Sequence, residues 1–351
     1  MDNTLVSILI PTYNSSPLLV KMVKCIQEQT YENWELIIVD DQSTDNTVED
    51  IKKIYINDKR IKIFVRDRLP KGSLTCRNIA FEKSKGDYII HFDADDLISN
   101  TCIENRVKYM KENPDLDFSV FPARTFVNEE DLYNKSTFVE FGINRYTDDI
   151  SSFLKVDYPF SVWNNIYKKT SIENMPLDEK ILIYSDFSYI MPMLINGLKY
   201  KYQNADGYDY YYRVNYSSDN MSNKHVTAEK IESSIYLFNK TIDDLSASFN
   251  PKIFKAYLHN YRKFILFYYE KLLTPVKSEH LNIFLNFCKR KLSYHVFLKM
   301  NIIYKVVNLF SSIFLKRVSF LFLTSIFFFH KQYFMELKRI LRAKIKSKLK
   351  I

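Results

Sequence analysis

KGDYIIHFDADD, residues 85–96, carries an apolar run straight into three carboxylates. Tyr88, Ile89, Ile90 and Phe92 have the composition of a buried strand, and Asp93, Asp95 and Asp96 crowd the position just beyond it. Carboxylates that close repel one another unless a cation or hydrogen-bond donors offset them. Hard oxygen ligands with few His or Cys beside them suit Mg²⁺ or Mn²⁺ bound together with a substrate diphosphate. A lone Asp-x-Asp is a weak signal. It gains weight here from the strand before it and from two further clusters upstream.

Working backwards, Leu5–Ile10 is an apolar run ending in Pro11-Thr12-Tyr13-Asn14. Glu35–Val39 is a second, ending in Asp40-Asp41-Gln42-Ser43. Ligands of open α/β sheets bind beyond the carboxyl ends of the strands, so three such ends place chain-distant residues on one rim. Each polar residue also has a turn or helix-cap alternative.

Helical signals fill the intervals. Ser16-Pro17 reads as N-cap and first residue of a helix to about Gln29. A second helix follows Asn46 through Ile54, then a strand at Arg60–Val65. Ser73–Ser84 is helical with Gly86 as its stop signal, Asp87–Phe92 is a strand, and Thr101–Glu112 is a helix ending before Pro114. Repeated βα units predict an α/β fold with a mostly parallel sheet and helices on both faces. Further on, Asp117–Phe121 and Tyr208–Tyr212 read as strands, and Asp148–Leu154 and Tyr184–Leu194 as helices. From about Thr227 the periodicity is helical, with breaks near Pro251 and Pro275. The polar stretch Ser217–Lys224 divides a domain at 1–220 from a helical region at 227–351.

The chain has 351 residues with 46% hydrophobic and 26% charged content, which excludes disorder as its main state. Five glycines and four cysteines exclude collagen-like, linker and disulfide-scaffold classes. Cys25, Cys76, Cys102 and Cys288 follow no zinc spacing and read as free thiols in a reducing compartment. The N-terminus lacks the pattern of a signal peptide, so the expected location is cytoplasmic.

The net charge of +9 is concentrated at one end. From Met300 onward eleven Lys and Arg face one acid, Glu336, while the rest of the chain is near neutral. That body does not read as a nucleic-acid binder, whereas the tail calls for an anionic partner. Val318–Phe329 is uncharged but too short to span a bilayer, which takes about 20 apolar residues. Phe334, Leu337, Leu341 and Ile345 recur at helical spacing among eight Lys and Arg, the pattern of a helix lying on an anionic membrane surface. For 302–330, packing on the body or a homo-oligomer interface through these helices stands beside membrane contact.

VSILIPTYN (6–14), ELIIVDDQSTDNT (35–47), CRN (76–78) and KGDYIIHFDADD (85–96) resemble the family 2 glycosyltransferases of the GT-A fold, a Rossmann-like nucleotide-sugar domain. The resemblance is specific over the first hundred residues and looser to about 220. It implies an inverting, metal-dependent transferase with a UDP-sugar donor and a glycan or lipid-linked glycan acceptor. The expected location is then peripheral, on the inner face of the cell membrane. By the resemblance Pro11 and Tyr13 line the uracil pocket, and Asp41 accepts from the base. Arg77 holds the nucleotide side of the donor, Asp93 meets ribose or metal, and Asp95 is the main ligand of Mn²⁺ or Mg²⁺.

The chemistry of these side chains agrees: Tyr13 offers an aromatic face, Asp41 an acceptor and Arg77 a bidentate phosphate partner. Read singly, Tyr13 is simple packing and Arg77 a surface ion pair.

LDEKILIYSDFSY (177–189) fits the family's acidic helix start, with Asp186 as general base and Ser185 where Glu is usual. From the residues alone, Asp186 caps the following helix. Tyr210-Tyr211-Tyr212-Arg213 with Ser217–Ser222 resembles the closing segment in which Arg213 approaches the diphosphate; an exposed strand end is the alternative. Trp163–Lys168 resembles an acceptor-side segment, or holds a buried Trp anchor. His91 reads as structural. The Gln and Arg pair before Trp of processive synthases is absent, which favours transfer of one sugar. A metal-dependent nucleotidyltransferase and a non-catalytic membrane adaptor are the rival readings.

Overall fold

The computed structural model describes residues 4–55, 57–132, 139–155, 157–203, 207–214, 227–254 and 256–257. The chain opens with β1 (Val6–Thr12), α1 (Ser16–Gln27), β2 (Trp34–Asp40), α2 (Thr47–Tyr55), β3 (Ile61–Val65), α3 (Ser73–Lys83) and β4 (Tyr88–His91). It continues through β5 (Leu97–Ile98), α4 (Cys102–Glu112), β6 (Phe118–Val120), β7 (Ala123–Phe126), β8 (Glu140–Phe141) and α5 (Asp149–Leu154). The last described elements are β9 (Asn165–Lys168), α6 (Lys169–Ile172), α7 (Ser185–Ile195), β10 (Tyr200–Tyr202), β11 (Tyr210–Arg213) and α8 (Ala228–Ser248).

Seven strands form one sheet in the order β10-β6-β9-β4-β1-β2-β3. All its pairings are parallel except those of β9, which runs antiparallel to β4 and β6. Every residue of β1, β2 and β4 is buried, so both faces of the central sheet are covered, as their near-continuous apolar runs require. Helix α1 buries Leu19, Met22, Val23 and Ile26, one stripe at helical spacing. Its N-cap is Ser15 rather than Ser16, and Pro17 lies inside the first turn.

Gly86 does not serve as a helix stop. Helix α3 ends at Lys83 with Ser84 extended, and the glycine is needed for close approach to β1: a Cβ there would lie 2.5 Å from the Ser7 nitrogen. Beside it, Glu35 is buried and accepts from Ser7 Oγ (2.7 Å), Lys62 Nζ (2.7 Å) and Lys85 N–H (2.6 Å). Burial pushes its carboxyl up, but these donors outweigh burial and hold it below the ordinary range.

A second sheet, order β5-β11-β7-β8, was not expected beyond its strand β11. Two of its members have two residues each, too few to leave a period-2 pattern.

The chain divides into two compact units, residues 1–224 with 240–257, and 225–239 with 258–351. Among the described residues no helix is long and apolar enough to cross a membrane. Cys25, Cys76 and Cys102 are free thiols. Cys288, Ser217–Ser222, the break near Pro275 and the features expected at 302–351 lie outside the described residues.

Candidate active site

The first two clusters are tied together by hydrogen bonds. Asn14 N–H donates to Ser43 Oγ (2.8 Å), Thr44 N–H donates to Asn14 Oδ1 (2.8 Å), and Ser43 N–H donates to Asp40 Oδ2 (2.8 Å). Asn14 and Gln42 hold positive φ angles of 48° and 61°, strained positions for side-chain-bearing residues. Pro11 is buried within β1 opposite Val39 of β2. Tyr13 is 42% exposed, and its ring carries the Lys71 ammonium at 3.9 Å. The ring thus lies on the rim and not in the core, with Lys71 over one of its faces.

Asp41 is buried, and its Oδ1 accepts from Arg66 Nε (2.5 Å) and Gly72 N–H (3.3 Å). Arg66 was missed from sequence. It lies one residue past β3, so the strand-end rule that selected the other clusters also reaches it. The loop from Arg66 to Gly72 leads into α3, whose neighbouring residues face two ways. Cys76 lies against Asp41, and burial with that carboxylate pushes its thiol up to about 12. Arg77 is buried and donates to Asp93 Oδ1, while among the described residues its other terminal nitrogen, Nη1, has no hydrogen-bond partner.

The acidic cluster divides its labour. Asp96 is buried and accepts from Tyr210 hydroxyl and from Arg213 N–H (2.6 Å), which fastens β11 to the loop after β4. Asp93 and Asp95 remain open to the rim. Burial pushes the Asp93 carboxyl up to about 6, with Asp95 and Asp186 adding to the rise and Arg77 opposing it. Burial also raises Asp95 above the ordinary carboxylate range, with Arg213 pulling the other way. Arg213 Nε donates to the Asp95 carbonyl (2.7 Å), and its side chain is 10% exposed, so the exposed strand end expected as an alternative is not what forms. Its guanidinium lies 3.9 Å from Glu129, which also pairs with Lys21 of α1.

Asp186 sits in the first turn of α7 but does not cap it. The N-cap is Tyr184, in the left-handed region at φ 62°, and makes no side-chain cap bond. Asp186 Oδ1 instead accepts from Ser161 hydroxyl and from Val162 N–H (2.9 Å), across to a 3-10 turn at Val162–Asn164. Among the described residues Oδ2 has no hydrogen-bond partner. Trp163 forms the buried anchor that the sequence offers as one reading of 163–168: it stacks on Tyr210 and Tyr212 at centroid distances of 4.6 and 5.3 Å. His91 is fully buried, its ring edge-on to Tyr167 and Tyr189.

The structure thus brings Arg77, Asp93, Asp95, Asp186 and Arg213 into one electrostatic neighbourhood. Tyr13 and Asp41 lie beside it on the rim, joined through α3. Among the described residues no three His, Cys, Asp or Glu side chains converge on a metal position. Asp93 and Asp95 still fit a divalent cation that takes its remaining ligands from substrate oxygens and water, because both carboxylates stay part-exposed on one rim.

Comparison with known proteins bears on the fold and the family. A crystal structure of S. aureus TarS 1-349 in complex with UDP-GlcNAc superposes with a TM-score of 0.63 at 16% identity, covering 90% of this chain and 86% of that one. The mannosyltransferase PcManGT from Pyrobaculum calidifontis, in complex with GDP-Man and Mn2+, superposes at 0.53 and 16% identity over 97% and 86%. These likenesses establish the GT-A fold. An uncharacterized glycosyltransferase of Haemophilus influenzae is 40% identical over 113 residues, 32% of this chain and 45% of that protein, so this match spans less than half its relative. The UDP-Glc:alpha-D-GlcNAc-diphosphoundecaprenol beta-1,3-glucosyltransferase WfaP of Escherichia coli is 31% identical over 217 residues, 61% of this chain and 79% of that protein. With the family model of glycosyl transferase family 2 matching residues 7–176, the chain belongs to glycosyl transferase family 2.

Proposed function

We propose that the protein transfers a single sugar, with inversion, from a UDP-sugar to a hydroxyl of a cell-envelope glycan of capsule, lipooligosaccharide or teichoic acid type. The observation that carries this is the meeting of Asp186 with the Asp93–Arg77 pair and Asp95 at one rim. A general base there stands beside the groups suited to a departing diphosphate. The E. coli relative, named for UDP-Glc and a diphosphoundecaprenol-linked acceptor, supports the UDP and lipid-linked parts of the reading.

In this mechanism Pro11 and Tyr13 flank the base and Asp41 accepts from its edge. Arg77 and Arg213 approach the donor's diphosphate. Asp186 Oδ2 takes the proton of the acceptor hydroxyl as that oxygen attacks the anomeric carbon. The bond from that carbon to the diphosphate breaks, and UDP leaves with the electron pair. The Ser161 and Val162 donors hold Asp186 in orientation while leaving Oδ2 open. Asp93 and Asp95 would hold Mn²⁺ or Mg²⁺, which when bound neutralises charge building on the leaving diphosphate.

The basic segment 331–351 anchors the protein to the anionic inner face of the membrane in the same reading. Titration calorimetry with UDP, with and without Mn²⁺, followed by a UDP-sugar panel, tests the donor. Equal UDP binding in both conditions defeats the metal role, and no turnover on any donor defeats the reaction. Removing 331–351 should release the protein from anionic vesicles, at about 1 kcal/mol per basic residue, yet spare transfer to a small soluble acceptor. Unchanged sedimentation with the vesicles defeats the anchor.

A further inference from the structure

A cleft of about 630 Å³ lies at the β10 edge of the large sheet, and none of the rim residues lines it. That volume falls in the range of about 300–1,000 Å³ typical of small-ligand sites. Four half-buried tyrosines from separate parts of the chain face it: Tyr109 of α4, Tyr146 from the loop before α5, and Tyr200 and Tyr202 of β10. Between them sits Asp149, only 8% exposed. Its Oδ2 accepts from both the Tyr200 and Tyr202 hydroxyls at 2.6 Å, and among the described residues its Oδ1 has no hydrogen-bond partner. Asp149 thereby fixes the two β10 tyrosines that line the cleft in a single orientation, a wall set before any ligand arrives.

Charge narrows the occupant. Lys201 is the one cation among the lining residues, against Asp148 and Asp149, so the cleft repels phosphate and disfavours a nucleotide or a lipid diphosphate. Aromatic faces interleaved with hydroxyl, amide and carboxylate groups match a ring with apolar C–H faces and hydroxyl edges. Position gives a further clue. Leu194 lines the cleft near the C-terminal end of α7, whose first turn carries Asp186. Eight residues of helix separate the two by about 12 Å along the axis.

We propose that this cleft is a carbohydrate subsite that takes an uncharged sugar residue of the acceptor glycan, set back from the reacting hydroxyl. The proposal rests on the transferase reading for the word acceptor, though the sugar chemistry of the cleft stands apart from it. It makes the protein selective for oligosaccharide acceptors over single sugars, since only a longer acceptor reaches both places.

The test uses the full-length chain, neutral oligosaccharides of one to five hexose or N-acetylhexosamine units, and the variants Tyr146→Ala, Tyr146→Phe and Asn144→Ala. Oligosaccharide binding should weaken at least tenfold in Tyr146→Ala, less in Asn144→Ala, and largely persist in Tyr146→Phe. KM for acceptors of three or more sugars should rise by the same factor, with kcat, single-sugar acceptors and UDP binding unchanged. The subsite is overturned if Tyr146→Ala and Asn144→Ala bind oligosaccharides as the unsubstituted protein does. Binding of acidic glycans alone, or an equal effect on short and long acceptors, also overturns it. Tyr146-dependent oligosaccharide binding in a protein that binds no UDP upholds the sugar site and defeats the transferase reading alone.

Discussion

The two parts of the rim handle their carboxylates in opposite ways. On the β1–β3 side, Asp40 is answered by Ser43, and Asp41 by Arg66 and the Gly72 amide. That side is held in shape before any ligand arrives, by bonds that reach Asp41 through Oδ1. On the β4–β11 side, Asp93, Asp95 and Asp186 share a neighbourhood, and the first two are both raised. Asp96 is taken by Tyr210 and Arg213, yet burial and its neighbours Asp95 and Asp93 hold its carboxyl well above the ordinary range too. The difference separates a preformed shape from a stored electrostatic load. The first suits recognition of a base, which changes little in the reaction. The second suits a step in which charge moves, because groups aimed at developing charge act most strongly where water is scarce.

The strongest blow to this contrast is Asp95→Ala. Transfer should fall below detection, and Mn²⁺ should no longer strengthen UDP binding in calorimetry; chelation of the unsubstituted protein should mimic both. Next comes Asp186→Asn, which keeps size but removes the proton acceptor. The catalytic rate should drop by roughly 10²–10⁴ with UDP affinity unchanged, and full activity in that variant refutes its role as base.

Arg66→Met probes the other side by unmasking Asp41. Breaking one partner of a buried pair costs about 3–5 kcal/mol, so chemical denaturation should show that loss together with weaker UDP binding. Stability like that of the unsubstituted protein would mean the pair is not what holds this side in shape.

The smallest effect concerns pH. The folded Asp93 carboxyl at about 6 lies above its ordinary 3.8, so its ionised form is disfavoured in the fold. Relative to Asp93→Asn, the metal-free protein should gain stability as pH falls from 7 through 6. The gain is about 1 kcal/mol after allowing for solvent at a side chain 32% exposed. Added Mg²⁺ should lower the midpoint, since a cation favours the ionised form. A flat difference between pH 7 and 5 would remove the stored load.

The parallel strands were legible because burial on both faces leaves continuous apolar runs, and the polar residues at their ends point to the rim. The same rule reaches Arg66, one residue past β3, but in sequence a single Arg after a strand cannot be told from a surface charge. Burial, not identity, makes it a partner of Asp41. Asp186 was legible as an acid at a helix start. Its actual donors, Ser161 and Val162, come from 25 and 24 residues earlier and follow from tertiary packing alone. Gly86 was read by its local habit as a helix stop, whereas the approach of β1 gives it its place. The short strand β5 pairs with β11, more than a hundred residues on, which no local period encodes, and two-residue β8 is too short to show one.

Asn14, Gln42 and Tyr184 all hold left-handed backbone, and each sits in a loop that shapes the rim. A protein engineer seeking a more heat-tolerant variant would be drawn to these positions, because glycine relieves such strain without a clash. The same exchange would loosen the loops that hold Tyr13, Asp41 and Asp186, and catalysts commonly trade durability against output at such places. Left-handed backbone at these three loops marks where such an exchange would first be felt in turnover.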